Sequence, residues 1–175
     1  MDMPNRKPHP IAGVTADSEN EIMTVFPSIA STGLGRALGL LYESIPLKIN
    51  GVKLSYLLFP LPTSPLALVW YFLLKLTGRR YVLTNRAVQA WSAIGSRLFK
   101  QVPLSDIAEI EVVHQAGQSF YRASDLELYG TGRKRLMTLA GIPNAEVFRE
   151  SLLEARDSLT QVRDSLATIR SRQTA

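Results

Sequence analysis

The chain has 175 residues, 46% of them hydrophobic and 20% charged, with a formal net charge of +5. That length holds about one domain with some surplus at the ends, and the apolar content excludes a fully disordered chain. The lack of cysteine excludes disulfides, thiolate metal sites and cysteine nucleophiles, and the two histidines, His9 and His114, lie too far apart to suggest a metal cluster.

The basic balance suits an anionic surface. No nucleic-acid recognition motif accompanies it, so lipid rather than nucleic acid is the expected partner. Residues 1–27 read as an N-terminal tail, and the first twenty are polar with Pro4, Pro8 and Pro10, hence expected to be disordered. Asp2, Asp17, Glu19 and Glu21 precede any apolar run, which is not the pattern of a secretory signal.

Residues 28–47 are moderately apolar. Their charges are Arg36 and Glu43, seven residues apart and so on one face of a helix. Gly33, Gly35 and Gly39 weaken that helix in isolation, so it reads as an interfacial helix or a poor span.

Residues 54–74 carry no charge. As one helix they would extend about 31 Å, near the hydrocarbon thickness of a bilayer. The residues expected in the membrane are Leu57, Leu58, Phe59, Leu66, Val69, Trp70, Phe72 and Leu73, with Tyr56 and Tyr71 of the types that favour interfaces. Pro60, Pro62 and Pro65 oppose a continuous helix. Two arrangements follow: a single span, or a re-entrant wedge with an arm to Phe59, a turn, and a helix over 65–76. The bland alternative is a buried core helix. Lys75, Arg79, Arg80 and Arg86 follow the segment, against Lys48 and Lys53 before it, which places the C-terminal side in the cytoplasm. Residues 28–78 are thus expected to associate with the membrane, with Lys75, Arg79 and Arg80 at the headgroups.

From residue 79 the texture becomes short strands and tight turns. Expected strands cover 81–84, 87–91, 98–102, 107–114, 126–129 and 136–139, with Ile110 and Val112 opposite Glu109 and Glu111. Gly130-Thr131-Gly132 lacks the Gly-Lys-Ser/Thr ending of a phosphate loop and reads as a plain turn. The basic cluster Arg133, Lys134 and Arg135 beside it is either a solvated turn or a contact for anionic headgroups. His114 has no evident acid partner, and the repeat serines Ser151, Ser158 and Ser165 have no base nearby. No catalytic residue, metal site or cofactor is expected.

A final helix follows Asn144, with apolar positions Phe148, Leu152, Ala155, Leu159, Val162, Leu166 and Ile169 spaced alternately four and three. Residues 158–175 exceed what a small domain needs and carry a heptad stripe able to form a homo-oligomeric coiled coil.

Three stretches carry a family resemblance: Tyr81-Val82-Leu83-Thr84-Asn85-Arg86-Ala87-Val88, Val102-Pro103-Leu104-Ser105-Asp106-Ile107, and Leu139-Ala140-Gly141-Ile142-Pro143-Asn144-Ala145. In order and spacing they resemble the bacterial PH-like domain family, in particular its YdbS-like group of membrane proteins. The resemblance implies an α+β fold over 79–157. A PH-like antiparallel barrel or bent sheet would be capped by a long C-terminal helix and preceded by hydrophobic membrane-associating helices. It implies a non-enzymatic scaffold or partner-binding element at the cytoplasmic face of a bacterial inner membrane. The alternative is a peripheral module that binds anionic lipid with a non-spanning wedge. Two departures stand out: a proline-rich second hydrophobic segment, and Tyr121-Arg122-Ala123-Ser124 where relatives carry glycines.

Overall fold

A computed structural model describes residues 19–45, 48–49 and 52–173; the side chains of residues 48, 49, 53, 56, 57, 166–170 and 173 lie outside that description. The expectations for residues 1–18, for the side chain of Leu57, and for Leu166 and Ile169 therefore fall outside it.

In chain order the elements are β1 (Glu21–Val25), α1 (Gly33–Glu43), β2 (Lys48–Ile49), β3 (Val52–Lys53), α2 (Leu54–Leu58), α3 (Pro60–Thr77), β4 (Arg79–Thr84), β5 (Ala87–Ser92), β6 (Leu98–Pro103), β7 (Glu109–Val113), β8 (Ala123–Tyr129), β9 (Arg135–Pro143) and α4 (Ala145–Gln173). One antiparallel sheet has the order β1-β4-β5-β6 and a second the order β7-β8-β9, with β2 and β3 a separate short ladder.

The α+β class and the six strands from residue 79 onward match expectation. The barrel does not: no strand ladder joins the two larger sheets among the described residues. They are joined by apolar packing instead. Leu83, Val88 and Leu104 from one side meet Leu126, Leu128, Leu139 and Ile142 from the other, and α4 closes the cluster with Phe148, Leu152 and Ala155. The last three recur at four and three residues, which puts one helix face on the core. The phenol oxygen of Tyr81 bridges the sheets by accepting from the Ala140 N–H at 3.2 Å. Burial raises the Tyr81 pKa, although that hydrogen bond opposes the rise.

Part of the expected tail is also corrected. Glu21–Val25 is a strand on the edge of the first sheet, with Val25 opposite Tyr81 and Glu21 opposite Thr84. Five residues that open on an acid give a weak strand signal, and the pairing comes from a β4 edge more than fifty residues away in sequence. Glu19 just before it is equally engaged, accepting from Thr84 Oγ1 and Gln89 Nε2, both at 2.7 Å.

Residues 28–45 do not form the expected poor span. A 3-10 turn over Ile29–Ser31 leads into α1, and Thr32 caps α1 by accepting from Gly35 N–H. The buried face of α1 is Gly35, Leu38, Gly39 and Tyr42. Arg36 and Glu43 do share a face, but it is turned to the β7–β8 loop. Arg36 donates to Gln115 Oε1 at 3.2 Å, and Glu43 Oε1 accepts from Ser119 Oγ at 2.7 Å. The glycines let α1 dock closely on the domain, which a bilayer helix would not require.

Candidate functional site

The uncharged segment folds as two helices, α2 and α3, with Phe59 between them. The expected turn at the prolines is not there. Pro60 and Pro62 occupy the first turn of α3, where backbone N–H groups lack intrahelical partners, so those prolines remove nothing. Pro65 is the only one inside the helix that forfeits a bond. Eighteen residues give about 27 Å of helix, and Thr63, Ser64, the prolines and Lys75 lower the helix's average hydropathy. Among the described residues no helix is long and apolar enough to cross a membrane. The expected transmembrane span is therefore not formed.

What α3 does instead is lie half-attached along the domain. Thr63, Ala67, Trp70 and Leu74 are half-buried, spaced four, three and four. That stripe faces the body. Tyr42 OH and Thr63 Oγ1 are 2.6 Å apart, and Trp70 Nε1 donates to Thr32 Oγ1 at 3.0 Å. Further on, Tyr71, Leu74 and Lys75 line a narrow crevice with Phe26, Pro27 and Ile29. No residue of α3 is buried. Leu61 is 83% exposed, and Leu66, Leu68, Val69, Phe72, Leu73 and Leu76 are all more than 40% exposed.

Set against the residues expected in a membrane, Leu58, Leu66, Val69, Phe72 and Leu73 are exposed, whereas Phe59 and Trp70 are half-buried. Trp70 fastens α3 to the domain through its bond to Thr32. Leu61, Leu68 and Leu76 belong to the exposed set and were not anticipated. They follow once α3 is continuous from Pro60.

The cations divide into two groups. Lys75 Nζ lies 4.9 Å from the Phe26 ring centroid and 5.5 Å from that of Tyr71. Arg79 lies over Phe99 at 5.1 Å. Arg80 is half-buried and its Nε is enclosed without a hydrogen-bond partner, which removes much of it from any headgroup role. On the second sheet, Arg133 is held by Glu111 at 2.6 Å and Glu109 at 3.6 Å, and Arg135 by Glu127 at 3.1 Å. The hydrogen bond to Glu111, with the Glu109 charge beside it, raises the Arg133 pKa. Arg133 and Arg135 are thus largely satisfied within the domain, and Lys134 alone of that cluster has no ion pair among the described residues.

A signal in the sequence anticipates this split. Residues 44–105 contain no Asp or Glu, so every charge on α2, α3 and β4–β6 is positive. The carboxylates of the described fold sit at and just before β1, on α1, at Asp106 between β6 and β7, on the second sheet and on α4.

No catalytic constellation is assembled among the described residues. His114 Nδ1 lies 2.7 Å from Ser124 Oγ, but the neighbouring carboxylate of Asp125 is occupied by Gln118 and the Gly141 N–H. No group of three metal-ligating side chains is found there either.

No curated protein matches the chain. The sequence profile described as bacterial PH domain matches residues 29–156, from the 3-10 turn before α1 into the first half of α4. With two antiparallel sheets closed by a C-terminal helix, the chain belongs to the bacterial PH domain family.

Proposed function

We propose that this PH domain is a non-enzymatic module that docks peripherally on the cytoplasmic face of a bacterial membrane, with α3 as a non-spanning wedge. One observation carries the reading: α3 exposes apolar side chains on every side except the narrow stripe held by Tyr42 and Thr32. Two packed proteins cover one face of a helix, whereas acyl chains can cover all of its free perimeter. Full removal of a Leu or Phe side chain from water contributes about 1.5–3 kcal/mol, so partial insertion of several supports reversible surface binding. Charge favours lipid over a second copy of the chain. Every charge on α2, α3 and the strands β4–β6 that follow is positive, which would repel across a symmetric interface and attract anionic headgroups. Held there, the domain would serve as a scaffold with its second sheet and α4 turned to a protein partner.

Co-sedimentation of the full chain with phosphatidylglycerol-containing vesicles tests the reading. The chain should pellet with them, and Leu68→Asp with Phe72→Asp should keep it in the supernatant without lowering the unfolding temperature. Equal pelleting of wild type and double variant would overturn it.

A further inference from the structure

We infer that the β5–β6 hairpin is a second membrane-inserting element, with Ile94 entering the acyl boundary and Arg79 and Arg97, gathered at Phe99, binding lipid phosphates. The inference rests on the docking of α3 and adds what fixes the domain's orientation.

The hairpin is built against the end of α3. The Ala93 N–H donates to the carbonyl of Gly78, the residue that terminates α3, at 2.9 Å. Its four-residue loop is closed by the Ser92 N–H on the Arg97 carbonyl at 2.9 Å. Ile94 at the tip is 60% exposed, and Leu98 and Phe99 are exposed below it. In β6, Leu98 pairs with Trp91 and Lys100 with Ala90, so Phe99 is the unpaired residue of a bulge. Bulges re-aim side chains, and the Phe99 ring here has two guanidiniums within cation–π distance, Arg79 at 5.1 Å and Arg97 at 5.3 Å.

Two guanidiniums gathered at one ring make a local concentration of positive charge that an anion would stabilise. None of the ion pairs among the described residues involves either arginine, and no carboxylate lies in residues 44–105 to supply one. Guanidinium is the side chain best shaped to take phosphate oxygens in pairs. An apolar tip, then an aromatic ring with two arginines over it, follows the order of a bilayer from acyl chain to phosphate. With α3 and the hairpin both engaged, the domain has two points of contact and a defined tilt.

The chain lacks cysteine, so Ile94→Cys and Leu68→Cys can each carry a single environment-sensitive fluorophore. On phosphatidylcholine vesicles containing phosphatidylglycerol, both labels should shift to the blue. Arg79→Gln with Arg97→Gln should weaken binding to those vesicles about thirtyfold. It should weaken binding to pure phosphatidylcholine, whose phosphates are neutralised by choline, far less. A shift at Leu68 without one at Ile94 would overturn the hairpin's role and leave α3 standing. A shift at Ile94 alone would support the hairpin and overturn the α3 wedge. No shift at either would overturn both. Because both labelled side chains are exposed, loss of folding is separable by the unfolding temperature of each labelled chain.

Discussion

Gly39 of α1 and Gly117 of the β7–β8 loop meet backbone to backbone: a β-carbon on Gly39 would stand 1.9 Å from the Gly117 carbonyl oxygen. The approach is reciprocal, since Gly117 has φ +82° and its own β-carbon would stand 2.1 Å from the Arg36 carbonyl. The contact seats α1 on the domain, and α1 in turn holds α3 through Tyr42. Glycines that weaken a helix in isolation are here what lets it dock.

Gly39→Ala should therefore destabilise the fold. Alanine in a helix gains about 1 kcal/mol of intrinsic propensity over glycine. Against that stands an overlap with backbone atoms, which cannot rotate away, and overpacking of this kind costs about 1–3 kcal/mol. Gly33→Ala is the control, because nothing lies within 4 Å of its β-carbon position. Urea titration should show a lowered midpoint for Gly39→Ala and no loss for Gly33→Ala.

The strands from Arg79 onward were legible because their apolar residues alternate or cluster between turns, as at Ile110, which is buried beside exposed Glu109. β1 was not, because an edge strand with one buried neighbour need not alternate strongly, and nothing local announces its partner. The uncharged segment was legible as an exposed apolar helix in composition but not in length. Prolines were read as breakers without regard to which turn they occupy, and Pro60 and Pro62 fall where they cost least. The basic turn at Arg133 looked available because Glu109 and Glu111 are more than twenty residues away in sequence. Only β7–β8–β9 pairing brings them alongside.

Asp125→Ala should cost more than Asp125→Asn. Asp125 is buried, and its Oδ1 accepts from Gln118 Nε2 at 2.6 Å and from the Gly141 N–H at 2.7 Å. Alanine leaves both donors without a partner, at about 1–3 kcal/mol for each buried group. Asparagine keeps an acceptor oxygen in place and should recover about half of the loss. Chemical denaturation of the two variants in parallel checks the order.

Tyr121 predicts a limit on alkaline stability. Its hydroxyl is enclosed with no hydrogen-bond partner, and burial, with Tyr42 nearby, pushes its pKa up to about 12. The unfolded phenol titrates near 10. Because the folded value is the higher one, the neutral ring's contribution is complete below pH 10 and is lost as pH rises towards 12. Tyr121→Phe removes the ionisable group and an unpaired polar atom together. Its melting temperature should equal or exceed that of the wild type at pH 7 and fall less steeply above pH 10.

Ending the chain after Val162 should separate the two roles of α4. Phe148, Leu152, Ala155 and half-buried Leu159 remain to cover the sheets, so the unfolding midpoint should move little. Self-association through the heptad stripe of residues 158–175 is proposed from the sequence, and sedimentation of the full chain against the shortened one measures it. A dimer that persists after truncation would exclude the stripe as its seam.

Neutralising the two basic regions should have opposite outcomes at a membrane. Arg133 and Arg135 are already paired to Glu111, Glu109 and Glu127. Pulling them towards headgroups would forfeit those contacts, and exposed pairs of this kind contribute at most about 1 kcal/mol to folding. Arg133→Gln with Lys134→Gln and Arg135→Gln should thus change vesicle affinity by less than about threefold. Lys75→Gln with Arg79→Gln removes cations that face Phe26, Tyr71 and Phe99 and have no acidic partner among the described residues. A headgroup contact near the surface contributes about 1 kcal/mol per charge, so this pair should lower affinity for anionic vesicles about thirtyfold. The effect should shrink in high salt, where exposed charges are screened over a few ångströms. Equal losses from the two sets would place the anionic contact on the β8–β9 turn and turn the domain over on the bilayer.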